Sequence, residues 1–286
     1  MFKNISLFFY KFLKILDFII SKIFRRSFLF WFREFMQEDA YKRLKILDKK
    51  INFFVPNKLI DYRINSFFYK EPETLSWIDN FNTNKKIIFW DIGSNIGLYS
   101  IYAALRVKNI EIYAFEPSTS NLRILSRNIS INNLQEKIFI NQFPLSIEEK
   151  GYGLMMESNF EEGGALHSYG LKKNFEGDEL SYINNYKIYG FNINYLVNHL
   201  NMEIPNYIKI DVDGLEHLIL EGGSDILSDL KIEGMLIEIN ENYKIQFDKV
   251  KSLMEKNNFK IVKKEQSKYI KLSPKFDKSF NYIFSR

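Results

Sequence analysis

The spacing of hydrophobic positions changes character several times along this 286-residue chain. In the first 36 residues Ile5, Phe8, Phe9, Phe12, Leu16, Ile19, Ile20 and Ile23 fall on one side of a helix. Lys3, Lys11, Lys14, Asp17, Lys22 and Arg25 fall on the other, with Leu7 and Phe18 inside the charged arc. This predicts a basic amphipathic helix. The same charges break every apolar run short of the ~18–20 residues that a spanning helix needs, and SKIFRRSFLFWF offers no small-residue cleavage site of the kind a signal peptide has. From Gln37 to Lys86 the pattern reads as a mostly helical, polar lead-in, including a helix in KEPETLSWIDNF.

The period then shortens. Ile87–Ile92 is a strand that flows through Gly93–Gly97 into a helix, LYSIYAAL. Ile110–Phe115 is the next strand, followed by a helix in SNLRILSRNISIN, and Lys137–Asn141 is a third strand. After a Gly-rich, irregular stretch over residues 146–190 come helix Asn192–Asn201, strand Tyr207–Val212, a turn at Asp213–Gly214 and helix Glu216–Leu220. Strand Gly234–Ile239 and helix Phe247–Asn257 complete the series. Strands alternating with helices predict an α/β chain with a doubly wound parallel sheet.

Composition narrows the chemistry. The chain has no cysteine, so thiol nucleophiles, disulfides and cysteine-ligated metals are absent, and three histidines are too few for a histidine-rich metal cluster. The formal charge of +5 is local. Residues 1–50 hold 12 Lys and Arg against 5 Asp and Glu, and the remainder holds 28 against 30. A slightly acidic body excludes a dedicated nucleic-acid binder, and an anionic membrane surface is the expected partner of residues 1–34. Packing on the body or on a second copy is the alternative there.

Ligands of open α/β sheets sit at the carboxyl ends of the strands. At the first such end stands Asp91-Ile-Gly93-Ser94-Asn95-Ile-Gly97, where the glycines permit a tight turn and Asn95 tolerates a left-handed conformation. As a G-x-G-x-x-G dinucleotide fingerprint the segment fails, because Asn95 and Leu98 stand where glycines should be. A nicotinamide-dependent oxidoreductase is thus the weaker reading. Glu116, ahead of Pro117 at the end of the second strand, is placed to accept hydrogen bonds from ribose hydroxyls. Asp211 ends an apolar strand, where a carboxylate is costly unless it works or caps the next helix. Asp213, Glu238 and His167 are further candidates, Asp213 and His167 as general bases alongside Asp211.

DIGSNIGLYS, then AFEPS with NLRILSRNISIN, then YIKIDVDGLEHLILEGG resemble the FkbM-type methyltransferases, a branch of the class I S-adenosylmethionine-dependent enzymes. The resemblance covers roughly residues 65–265, and it implies an N-terminal amphipathic, helical extension, 1–64, and a class I methyltransferase domain, 65–286, whose segment 146–190 covers the substrate. It implies a mostly parallel, seven-stranded Rossmann-like sheet with S-adenosylmethionine over its first two strands. Asp91, Gly93, Ser94, Asn95, Gly97, Glu116 and Pro117 would be the cofactor residues, and the reaction would be O-methyl transfer to a sugar or glycan. Relatives usually carry Glu where this chain has Asp213. A divalent cation held by Asp211 and Glu238 is conceivable chemistry but not expected, since no dedicated ligand spacing is visible. The expected location is cytoplasmic, peripheral on the inner membrane face. A catalytically silent membrane-associated module is the remaining alternative.

Overall fold

The computed structural model describes residues 1–286. In chain order the elements are α1 (Phe2–Phe24), α2 (Phe28–Glu38), β1 (Tyr41–Ile46), β2 (Lys49–Phe54), α3 (Lys58–Lys70), α4 (Pro72–Asp79), β3 (Ile87–Ile92), α5 (Leu98–Arg106), β4 (Ile110–Phe115), α6 (Thr119–Ile131) and β5 (Ile138–Asn141). They continue as β6 (Lys150–Glu157), β7 (Ser168–Tyr169), β8 (Asn184–Phe191), α7 (Ile193–Asn198), β9 (Tyr207–Ile210), α8 (Glu216–Glu221), β10 (Gly234–Asn240), α9 (Lys244–Lys256), β11 (Lys260–Glu265), α10 (Lys268–Lys271) and β12 (Ser279–Ser285).

Seven strands form the central sheet in the order β11-β12-β10-β9-β3-β4-β5. The run from β10 to β5 is parallel, and β12 lies antiparallel between β10 and β11. Strand β3 is buried along its whole length. Its alternating side chains therefore feed two cores: Ile87 and Phe89 pack with α5 and α6 on one face, Ile88 and Trp90 with α7, α8 and α9 on the other.

Three stretches depart from the expectations above. The helical lead-in contains a β-hairpin, β1–β2, which pairs Ile46 with Lys49 across a two-residue turn. Leu47 and Asp48 both take positive φ, 47° and 64°. This mirror-image turn matches strand twist, yet Leu-Asp lacks the glycine that usually announces it. Ile46, Phe53 and Phe54 of the hairpin, with Ile60 and Ile64 of α3, join the core that holds Phe89 and Leu125. The stretch over 146–190 contains a small antiparallel sheet, β7-β6-β8. Its glycines make room rather than loops: a Cβ on Gly153 or on Gly190 would come within 2.6 Å or less of the Tyr169 ring or its hydroxyl. Finally, the N-terminal segment is two helices. The chain turns at Arg25 (φ 53°), and Ser27 caps α2 by accepting from the Phe30 amide.

Asp17 is not merely part of the charged arc. Its carboxylate accepts from Ser27 Oγ at 2.8 Å and from the Leu29 amide at 3.2 Å, which holds the corner between α1 and α2. Neither helix has a buried residue. Arg123 donates to Gln37 and so ties the end of α2 to the body.

Candidate active site

The carboxyl ends of β3, β4 and β9 surround two cavities that share Gly93, Asn95, Ala165, Asp211 and Asp213. The narrower, about 620 Å³, has Glu116 and Pro117 at one side and an apolar wall of Phe143, Leu145, Met155 and Ile219. The wider, about 1320 Å³, opens between α3, the start of α5 and the ends of β9 and β10.

The turn after β3 builds the junction. Gly93 has φ +83°, and a Cβ there would lie 1.9 Å from the Asp211 carbonyl oxygen, so only glycine lets this turn pass β9. Asn95 has φ 50°. Its amide donates to Glu116 at 2.8 Å and its Nδ2 to the Gly164 carbonyl at 2.6 Å, while its Oδ1 is buried without a partner. Ser94 lines the wider cavity. Gly97 starts α5 and lines neither; a Cβ there would strike Leu125 at 2.5 Å. Asp91 also stands away from both. It is fully buried, accepts from Ser100 Oγ at 2.5 Å, and is pushed above the ordinary carboxyl range by burial against the opposing pull of Lys209.

Glu116 is 5% exposed, and burial raises its carboxyl to about 7 although the Ser118 and Asn95 amides both donate to it at 2.8 Å. Such a group faces the narrower cavity as a hydrogen-bond acceptor. His167 lies in that cavity too, with Nδ1 unpartnered and its basicity lowered by burial. It does not line the wider cavity.

Asp211 and Asp213 line both. Burial works against the charge of Asp211, but Lys209 Nζ at 2.8 Å outweighs it and holds this carboxyl well below the usual range. Lys209 is itself 1% exposed, 5.1 Å from the centre of the Tyr99 ring, and kept above the ordinary lysine range by Asp211 and Asp91 despite burial. Asp211 does not cap the following helix. The turn into α8 is held by Glu216, whose carboxylate accepts from the Val212 and Gly214 amides. Asp213 sits at φ 61°, accepts from the Leu166 amide at 2.7 Å, and is raised to about 6 by burial and by Asp211. Glu238 is raised well above its ordinary range by burial and by the neighbouring Asp211 charge. Oxygens of Asp211, Asp213 and Glu238 lie within 4.8 Å of one another. A cation placed among them would compete with Lys209 for Asp211.

Residues absent from the sequence reading complete the walls: Arg63, Lys70, Glu71 and Tyr99 in the wider cavity, Asn121 in the narrower. Lys70 pairs with Glu71 at 2.6 Å, and the Tyr99 hydroxyl donates to the same carboxylate at 2.8 Å. Asn121 fixes the covering segment by accepting from the Gly163 amide at 2.8 Å and donating to the Gly164 carbonyl at 3.2 Å. A signal for Lys209 was present, since in YIKID it stands two residues before Asp211 and so on the same face of a buried strand.

Parts of the chain resemble known proteins. A stretch of 67 residues is 37% identical to "Methyltransferase sdnD" of Sordaria araneosa, which covers 23% of this chain and about a quarter, 26%, of that protein. Among solved structures, a putative SAM-dependent methyltransferase from Streptococcus mutans superposes with a TM-score of 0.51 at 10% identity, covering 86% of this chain and 56% of that one. M. jannaschii TYW2 in complex with AdoMet superposes with a TM-score of 0.43 at 14% identity, over 86% and 87% of the two chains. At 10% identity the likeness to the S. mutans structure is one of fold. The family model described as the methyltransferase FkbM domain matches residues 91–261, from the turn that opens the junction to the last parallel strand and beyond, and the chain belongs to the FkbM methyltransferase family.

Proposed function

We propose that the protein is an S-adenosylmethionine-dependent O-methyltransferase acting on a hydroxyl of a sugar or glycan. The observation that carries this reading is the meeting of two cavities at one pair of carboxylates. The narrower suits the nucleoside. Glu116 would accept from the ribose hydroxyls, the Phe143, Leu145, Met155 and Ile219 wall would cover the base, and the buried, unpartnered Asn95 Oδ1 and His167 Nδ1 are polar atoms that a ligand would satisfy. The wider cavity, lined by Tyr62, Tyr99, Asn159 and Asp213, supplies polar groups for a hydroxyl-rich acceptor.

S-adenosylmethionine supplies an already activated methyl group when bound, so the protein's share is alignment, exclusion of water and removal of one proton. Asp213 is the better base. Its carboxyl near 6 is matched to neutral pH, whereas Asp211 is held ionised by Lys209 and is a weak proton acceptor. Asp211 instead keeps negative charge where the two cavities join. The Asp213 Oδ not engaged by Leu166 would take the acceptor proton. Incubation with methyl-labelled S-adenosylmethionine and a saccharide panel tests the proposal: label should move to saccharide oxygen, and transfer to amines or carbon alone would overturn the acceptor class.

We also infer that α1 and α2 lie on an anionic membrane surface, so that the enzyme works at the cytoplasmic face. No helix is long and apolar enough to cross a membrane. Yet Phe8, Phe9, Phe12, Ile15, Ile19, Trp31 and Phe35 are all exposed, and residues 1–38 carry seven basic against three acidic side chains. Each basic residue near an anionic leaflet contributes about 1 kcal/mol. The unit proposed for catalysis is the remainder, in which β1, β2 and α3 share the main core.

A further inference from the structure

We propose that Arg63 forms an anion-binding subsite for the acceptor, so that the substrate is a saccharide bearing a carboxylate or phosphate. The inference rests on the methyltransferase reading and adds the charge of the substrate to it. Arg63 projects from α3 into the wider cavity, half-buried. Its Nε donates to the Gly163 carbonyl at 2.6 Å, which fixes the guanidinium plane. Its two terminal nitrogens have neither a hydrogen-bond partner nor a carboxylate within 4.0 Å.

No carboxylate of the cavity pairs with Arg63. Glu71 holds Lys70 and Tyr99, Asp211 holds Lys209, Asp213 holds the Leu166 amide, and Glu238 is held toward its neutral form by burial and by the neighbouring Asp211. Arg63 is thus the cation of this cavity that no side chain pairs with, although its charge reaches Asp213 and Glu116 at longer range. A planar fork whose two terminal nitrogens are free matches a carboxylate or phosphate oxygen pair, and partial burial makes an unpaired charge costly enough to favour such a ligand. Two sources offer that chemistry: the α-carboxylate of the cofactor and an acidic group on the acceptor. The first turn of α5, where Leu98 and Tyr99 line the same cavity, offers backbone amides to the cofactor's carboxylate. Arg63, across the cavity on α3, is left for the acceptor.

Calorimetry on the full chain separates the sources. S-adenosylhomocysteine is titrated into the wild type, Arg63→Gln and Arg63→Lys. Glucose, glucose 6-phosphate and glucuronate are then titrated into each protein saturated with S-adenosylhomocysteine. The expected result is that an acidic sugar binds the wild type about tenfold or more tightly than glucose, as one charge-assisted pair allows. That preference should vanish in Arg63→Gln and return in part in Arg63→Lys, whose charge is kept and whose fork is lost. Both variants lose the tie to the Gly163 carbonyl, so their affinity for S-adenosylhomocysteine should fall no further than in Asn57→Ser, which loses the neighbouring tie to Glu162. Equal binding of acidic and neutral sugars by the wild type would overturn the subsite. So would S-adenosylhomocysteine binding weakened in both Arg63 variants well beyond Asn57→Ser, which assigns Arg63 to the cofactor. If the wild type does not bind S-adenosylhomocysteine, the underlying reading fails and this one with it.

Discussion

Asp211 and Asp213 stand two residues apart and ionise in opposite directions, because Lys209 touches one and burial governs the other. Asp213→Asn should therefore lower kcat by about 10²–10⁴-fold, the range of general acid–base contributions. The amide oxygen still accepts from Leu166, so cofactor affinity should hold. Since Asp213 is protonated below about 6, kcat should rise as pH increases through that value and level off above it. A pH–rate profile checks this, and the limb should disappear in Asp213→Asn. Glu116→Ala removes an acceptor that faces the narrower cavity, proposed for the nucleoside, and should weaken S-adenosylhomocysteine binding by about 1.5–3 kcal/mol. Glu116 is raised to about 7, so ionisation favours the hydrogen bonds it would accept, and affinity should increase as pH rises through about 7. Titration calorimetry at a series of pH values measures both effects.

At the scale of elements, β3 and β4 could be read to the residue because short, mostly apolar runs ended by Gly93 and by Glu116–Pro117 have no competing pattern. The hairpin β1–β2 was hidden by a turn without glycine, and the β7-β6-β8 sheet by glycines that serve the Tyr169 ring. Strands β11 and β12 follow the last predicted helix. The first of them, KIVKKE, is exposed along nearly its whole length and carries no core-facing alternation. The candidate site divides in the same way. Asp211, Asp213 and Glu116 were legible because carboxylates at strand ends stand out. Arg63 was not, since a helix in a polar lead-in shows no sign that one of its residues reaches the cavity across from β9. The segment covering the narrower cavity depends on Asn57, Arg63, Asn95 and Asn121, each donating to a carbonyl between Glu162 and Gly164. Asn121→Ala leaves the buried Gly163 amide unpaired. It should cost about 1–3 kcal/mol, seen as a lower Tm and as faster proteolysis within residues 158–167.

For the whole molecule, the two N-terminal helices and the α/β body are predicted to do separable work. Deleting residues 1–38 should abolish sedimentation with phosphatidylserine vesicles and leave S-adenosylhomocysteine binding intact. Full-length protein that stays in the supernatant at low salt, or a truncated protein that aggregates, would instead place the apolar helix faces against protein. The body's own role rests on the two cavities joined at Asp211 and Asp213, with Glu116 at the nucleoside end. Calorimetric titration of S-adenosylhomocysteine into the full chain tests that claim most directly. One molecule should bind per chain, with affinity weakened by about 1.5–3 kcal/mol in Glu116→Ala and kept in Asp213→Asn; absence of binding, or binding indifferent to Glu116, would contradict the account.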